Sequence, residues 1–262
     1  MPEDFHLAGF ARANVLGVGI HAIDMRRALE FFQHAVEERK KGYVCVTGVH
    51  GIMEAQKNPA FRSILNNSLL TTPDGMPTVW VGRWQGHSQM QRVFGPEMML
   101  EVCAMSVGKG YTHFLYGGAD GVAKQLRAAL LRRFPGLRIV GTYTPPFRPL
   151  NGVEKEDLRA RVSSVTPDIF WVGLSTPKQE CFMAEYLPQL DTRVMVGVGA
   201  AFDVHTGRIQ DAPTWVKNAG LQWLHRLGQE PGRLWKRYLY NNPRFVLKMT
   251  SQLLGLSKYP LA

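Results

Sequence analysis

Cysteine is scarce in this chain. Only Cys45, Cys103 and Cys181 occur, odd in number and far apart, and no CxxC or paired Cys/His spacing is present. That pattern argues against a disulfide framework and structural zinc, and fits reduced thiols in a cytoplasm. None of the eight histidines forms HxH or HxxxH, and no DxD pair follows an apolar run. The sequence therefore implies no divalent metal. No serine nucleophile elbow is present. Long apolar runs are also missing. A spanning helix needs roughly 20 apolar residues, and the densest run, Val194 to Phe202, is far shorter. The N-terminus carries Glu3 and Asp4 and lacks a basic region followed by an apolar block, so no signal peptide is expected. Repeats and low-complexity segments are absent.

What is present suits one large α/β domain, or a domain with an appendage. The 262 residues are 45% hydrophobic, enough for a sizeable core. The net charge is +10 and is unevenly placed: from Val204 onward nine Lys/Arg face only Asp211 and Glu230, a net of +7. Such an excess suggests an anionic partner, whether nucleic acid, a phosphorylated substrate or an acidic membrane surface, with a solvated basic face as the plainer reading.

Apolar runs alternate with helical periodicity. Strands are expected at Asn14–Ile20, Tyr43–Val46, the run ending at Thr72, His113–Tyr116, Arg138–Gly141, Asp168–Gly173 and Val194–Val198. Helices are expected at Asp24–Lys40, His50–Gln56, Pro59–Leu65, Glu97–Val107, Val122–Phe134, Val153–Ser163 and from Pro177 to Tyr186, while Met76–Met90 shows no clear period. This alternation implies a Rossmann-like, largely parallel sheet flanked by helices. From Pro213 only helices are expected, in three segments (Thr214–Leu227, Gly232–Tyr240, Arg244–Leu254) interrupted by Pro231 and Pro243. The expected division is 1–212 for the α/β domain and 213–262 for a basic helical appendage.

Several strand ends carry polar or glycine-rich loops on the edge where open α/β sheets bind ligands. Thr47-Gly48 ends one run, and Pro73-Asp74-Gly75 ends the next about one helix later. Asp74 sits between a residue with fixed φ and one that permits a sharp turn. A carboxylate there can be aimed, although Asp-Gly is also a common turn pair. Gly117-Gly118 would let backbone amides approach a phosphate, or simply make a tight turn. Lys178 opens a helix, where its charge is unfavourable unless an anion lies near. Gly197-Val198-Gly199 resembles a dinucleotide fingerprint, but Phe202 stands where the third glycine belongs. In the tail, Arg226, Arg233, Arg237 and Arg244 are spaced seven, four and seven apart, beside Trp223, Leu227, Leu234 and Tyr238. Such a segment suits phosphate binding or a membrane interface, or is a docked tail with aromatic core residues.

Taken together, Thr47-Gly48, Thr72-Pro73-Asp74-Gly75, Arg92-Val93-Phe94-Gly95, Tyr116-Gly117-Gly118, Val172 through Glu180, Gly199 through Asp203 and Leu221 through Arg226 occur in one order. In this the sequence resembles the WecG/TagA/CpsF bacterial glycosyltransferases, from about Val15 to Phe245. The resemblance implies transfer of a sugar from a UDP-sugar to a polyprenyl-diphosphate-linked saccharide, with inversion and without metal or other cofactor. The enzyme would be peripheral on the inner face of the cytoplasmic membrane, in cell-surface polysaccharide synthesis. It implies Asp74 as general base, with Thr47 and Gln179 in the catalytic group. Arg92, Gly117, Gly118, Asp120, Gly173, Pro177, Lys178, Glu180, Phe202 and Asp203 would bind the UDP-sugar. Arg226, Arg233 and Arg237 would bind the acceptor diphosphate or the departing UDP. It implies no nucleic-acid partner and admits a homo-oligomer. The donor stays open among N-acetylmannosamine, its uronic acid, glucose and glucuronic acid. Three departures bear on donor and acceptor: Val49 where the family often has Asn, Gln222 where Glu is common, and Asp211-Ala212-Pro213 where Arg-Ala-Pro is usual. A basic nucleic-acid-binding protein and a nicotinamide-dependent oxidoreductase are the competing readings.

Overall fold

A computed structural model describes residues 10–261. The stretch around Glu3 and Asp4, read above as carrying no signal peptide, lies outside the described residues. The protein is α/β, with a six-stranded parallel sheet flanked by helices, in the order β4-β3-β8-β7-β5-β6. These strands are β3 (Gly42–Thr47), β4 (Leu70–Pro73), β5 (Thr112–Gly117), β6 (Arg138–Tyr143), β7 (Ile169–Gly173) and β8 (Val194–Gly197). The chain forms two compact units: Met1–Met25, Val46–Phe94 and Gln210–Ala262 make the first, and Arg26–Cys45 and Gly95–Ile209 the second. The expected appendage at 213–262 falls inside the first.

In the second unit β3, β8, β7, β5 and β6 pair in parallel. Residues of β3, β8, β7 and β5 are buried on both faces, which is why these runs read as continuously apolar rather than alternating, while the edge strand β6 is only partly buried. The helices are α1 (Met25–Glu37), α5 (Gly95–Lys109), α6 (Val122–Arg133), α7 (Gly152–Ser163), α8 (Lys178–Tyr186) and the short α9 (Ala201–His205). In α1, Ala28, Phe31, Phe32, Ala35 and Val36 form the buried face. Asn151 caps α7 through a reciprocal box with Glu154. Trp171 is fully buried and donates its indole N–H to His113 Nδ1 at 2.9 Å. Burial pushes the His113 imidazole down to about 4, so it is neutral in the core.

The first unit begins with a hairpin, not the single strand expected over Asn14–Ile20. Strands β1 (Arg12–Val15) and β2 (Val18–His21) pair antiparallel around Leu16 and Gly17. Both turn residues have positive φ, 54° and 79°, the conformation a two-residue hairpin requires. A continuous apolar run concealed the turn. Helices α2 (Val49–Ala55), α3 (Pro59–Asn66) and α4 (Met76–Trp84) follow. Asn58 caps α3 ahead of Pro59, accepting from the Ala60 and Phe61 amides.

The tail departs from expectation twice. The segment expected as one helix over Thr214–Leu227 is two, α10 (Thr214–Asn218) and α11 (Gln222–Gln229). Gly220 breaks it with φ 72°, and a Cβ there would lie 2.6 Å from Trp80. Conversely, Pro231 through Leu253 is one continuous helix, α12, with Pro243 inside it. Pro231 occupies the first turn, where its missing N–H costs nothing. Pro243 faces solvent, so the lost hydrogen bond and the ring fall on the open side of the helix. Leu234, Asn241, Phe245 and Met249 form the buried side, and α12 packs on α2.

Candidate active site

In the first unit the ends of β3 and β4 cross closely. The Asp74 N–H donates to the Thr47 carbonyl at 3.1 Å. A Cβ on Gly48 would meet the Asp74 carbonyl oxygen at 2.6 Å, so only glycine lets the two loops pass. Gly75 takes φ 98°, and α4 starts directly after it with Pro77 in its first turn. The Asp74 backbone is thus held from both sides by the sequence Thr-Gly against Pro-Asp-Gly. Beside it, the Thr47 hydroxyl is buried and has no hydrogen-bond partner among the described residues. A buried hydroxyl without a partner is uncommon, and a role in binding or catalysis is one physical explanation of it.

The segment carrying Arg92 is tied down on both sides. Gln91 N–H donates to Ile23 O at 3.0 Å and Val93 N–H to Pro73 O at 2.9 Å. The Arg92 guanidinium stacks over the Phe94 ring at 5.1 Å. Lys217, on α10, also approaches that ring at 5.7 Å and is buried against Asp211 at 2.8 Å. Asp211 therefore neutralises a lysine that sequence reasoning did not single out. An i,i+6 acid–base pair across a loop and a helix start carries no periodic signal.

The tail arginines gather in the same unit. Arg226 on α11 donates to Glu230 Oε2 at 3.0 Å, and Arg233 grips Glu230 with two bonds of 2.9 and 2.6 Å. Burial and then the repulsion of Arg233 lower the Arg237 pKa. Burial raises the Tyr238 phenol, the three arginines oppose the rise, and the negative charge of Asp74 adds to it. Tyr238 is thus within electrostatic reach of both Asp74 and the arginine cluster. Asn241 meets His50 of α2 at 3.2 Å. Glu230, Tyr238, Asn241 and His50 were not legible as a group, because their proximity depends on how α11 and α12 turn back on α2.

The second unit assembles the other expected residues. A Cβ on Gly117 would lie 2.6 Å from the Gly173 carbonyl oxygen, and the Gly118 N–H donates to Gly173 O at 3.0 Å. Gly173 in turn lies against the ring of Phe202, itself fully buried. These glycines serve close strand and ring approach. Gly197 does the same against Met183 and Gln179, which accounts for the fingerprint-like Gly-Val-Gly by packing. Pro177 precedes α8, Lys178 is exposed, and Gln179 and Glu180 are buried. Gln179 Oε1 accepts from the Gly199 N–H at 2.9 Å. Glu180 Oε1 accepts from Thr176 Oγ1 at 2.8 Å and from Gln179 Nε2 at 3.0 Å, while its Oε2 is buried with no partner among the described residues. Burial raises the Glu180 carboxyl pKa, favouring its protonated form. Asp203 pairs with Arg208 at 3.4 Å, and Asp120 is exposed on the turn before α6.

A profile of the "Glycosyl transferase WecG/TagA/CpsF family" matches residues 13–259. The chain belongs to this family. Among its relatives, the N-acetylglucosaminyldiphosphoundecaprenol N-acetyl-beta-D-mannosaminyltransferase of Bacillus spizizenii is 30% identical over 210 residues, covering 80% of this chain and 79% of the relative. The enzyme of the same description from Bacillus subtilis is 26% identical over 221 residues, covering 84% and 83%. The protein is a glycosyltransferase. Cys45, Cys103 and Cys181 of the transferase form no disulfide among the described residues. Among its described residues no group of three or more His, Cys, Asp or Glu is placed to hold a metal ion. No helix among them is long and apolar enough to cross a membrane.

Proposed function

We propose that this transferase moves one hexose-type sugar from a UDP-sugar onto a polyprenyl-diphosphate-linked saccharide, at the inner face of the cytoplasmic membrane, in cell-surface polysaccharide synthesis. The observation that carries the reading is the crossing of Thr47-Gly48 with Asp74, which fixes the Asp74 backbone against the strand end whose Thr47 hydroxyl is buried with no hydrogen-bond partner among the described residues. The activity named for the two Bacillus relatives supports the donor sugar and acceptor classes, and makes N-acetylmannosamine the first donor to test.

The reaction is a single displacement with inversion. The acceptor hydroxyl oxygen attacks the anomeric carbon, its proton passes to the Asp74 carboxylate, and the bond to UDP breaks with the electron pair leaving on the diphosphate. The developing charge is met by arginines and backbone amides rather than a metal. Arg226, Arg233 and Arg237 suit a diphosphate because each guanidinium offers a planar fork to phosphate oxygens. Residues 213–262 act as the acceptor- and membrane-binding appendage. In the second unit, the strand-end loops carrying Gly117, Gly173 and Gln179 bind the donor.

The test is a screen of UDP-sugars against a lipid-diphosphate acceptor, read by mass spectrometry, with and without chelator. One UDP-sugar should give product, with chelator making no difference. Asp74→Asn should lower turnover by about 10²–10⁴-fold while UDP binding is kept. Wild-type-like turnover in that variant would remove Asp74 from the base role.

A further inference from the structure

Glu180, in the first turn of α8, is 1% exposed, and two donors converge on one of its oxygens. Thr176 Oγ1 donates to Oε1 at 2.8 Å and Gln179 Nε2 donates to it at 3.0 Å, while Oε2 is buried with no partner among the described residues. Burial favours the protonated form, opposed only by these bonds and its own backbone N–H, with no cation taking part. A carboxylate so placed would leave the charge on Oε2 uncompensated. A carboxylic acid with its proton on Oε2 leaves Oε1 as a carbonyl that accepts both donors. Glu180 is therefore a neutral acceptor.

The chain of bonds continues beyond it. Gln179 is 2% exposed, and its Oε1 accepts from the Gly199 N–H at 2.9 Å. An amide turned end for end would set Nε2 against the Gly199 N–H, donor facing donor, and Oε1 against Glu180 Oε1, acceptor facing acceptor. Glu180 and Gly199 thus select the same one of the two orientations. Gly197 at the end of β8 leaves the room, since a Cβ there would lie 3.0 Å from Gln179 Nε2. Gly199 takes φ 49°, which favours glycine, two residues ahead of α9. Phe202, on α9, has a ring that a Cβ on Gly173 would meet at 2.7 Å and one on Gly118 at 3.5 Å. Strands β8, β7 and β5 are neighbours in the sheet. The loops beyond three adjacent strand ends therefore meet at one ring, and the Gln179 amide holds the turn that leads to it.

We propose that Glu180 is a positioning residue that touches no substrate: through Gln179 it holds the Gly199 turn, and with it the donor-binding loops of the second unit, in place. A side chain whose free oxygen is buried offers no surface to a ligand, which separates this role from the direct UDP-sugar contact that the family resemblance implies for it. An apolar residue of the same size would leave the Thr176 hydroxyl and the Gln179 N–H without their acceptor, and buried unsatisfied donors are costly. The position thus requires an acceptor and not a charge. The inference deepens the proposed function, on which it rests for the loops that bind the donor.

The test uses the full chain, with UDP binding read by calorimetry and exchange of single backbone amides read by NMR. Glu180→Ala should weaken UDP binding about tenfold or more and speed exchange of the Gly199 N–H. The Val194 N–H, which donates to Asp168 O at the far end of β8, should keep its protection and so report that the sheet is folded. Glu180→Gln, which keeps an acceptor oxygen in place, should match the wild type in both readouts, a test that stands whether or not the alanine variant folds. In a Gln179→Ala background, Glu180→Ala should weaken UDP binding no further, because the two act as one unit. A glutamine variant that binds UDP poorly overturns the proposal, since the carboxyl would then meet the ligand itself. Additive losses in the double variant overturn it, as does unchanged Gly199 exchange in Glu180→Ala. If the wild type binds no UDP, the donor reading fails, and Gly199 exchange across the same variants still decides whether Glu180 holds the turn through Gln179.

Discussion

Gly48→Ala is the most direct probe of the site's architecture. Gly48 has φ −109° and ψ −168°, extended backbone open to any residue, so alanine introduces no dihedral strain. As the residue before α2, alanine in place of glycine costs only a few tenths of a kcal/mol or little more. The penalty is steric. The new methyl would lie 2.6 Å from the Asp74 carbonyl oxygen, whereas ordinary carbon–oxygen contacts begin at about 3.3 Å. The loops must separate by about 0.7 Å, the difference between those distances. The obstructing atom is backbone, held by the Asp74 N–H to Thr47 carbonyl bond, so it cannot rotate away. Overpacking of this kind costs about 1–3 kcal/mol, or about 2–10 °C in Tm for a chain of this size. Displacing the base by part of an ångström should lower kcat by about 10- to 100-fold. The assay is product formation by mass spectrometry beside a calorimetric melt. Gly108→Ala is the control, since its Cβ meets nothing within 4 Å and lies in α5, where alanine should stabilise slightly. Wild-type turnover and an unshifted Tm in Gly48→Ala would refute the claim that this contact positions Asp74.

Two further substitutions test the buried and tail charges. Glu180 has its carboxyl pKa raised by burial, so the folded state keeps a proton that the unfolded chain releases. Its cost to stability is absent below the unfolded pKa and grows as pH rises above it. Glu180→Gln should therefore raise Tm at pH 8 more than at pH 4, and a pH-independent difference would contradict the assignment. Glu230 occupies the forks of Arg226 and Arg233 that a diphosphate would use. Removing a competing ion pair of about 0.5–1 kcal/mol by Glu230→Gln should tighten inorganic diphosphate binding about two- to five-fold in calorimetry, and weaker binding would show that Glu230 organises the arginines instead.

Much of this molecule was readable in one dimension. The strands and helices of the sheet follow from local periodicity, and the strand-end positions of Thr47, Asp74 and Gly173 and the helix-start position of Gln179 follow from where those periods stop. The misreadings were also local. Leu16-Gly17 turned a run read as one strand into a hairpin, because a leucine in the left-handed region leaves no signal in an apolar stretch. Pro243 was read as a helix stop, because a proline's cost depends on which side of the helix it faces, and the sequence does not show which side is buried.

The sequence by itself determined the α/β alternation, the order of the strand-end motifs and the basic tail, since these depend on residues near one another in the chain. The tertiary structure alone decided that the Asp74 backbone leaves no room for a Cβ on Gly48, the burial of Glu180 and the grip of Glu230 on two arginines. It also decided which side of α12 is covered. Each of these depends on distance and solvent exposure between segments far apart in sequence, and both are set only when the chain has packed.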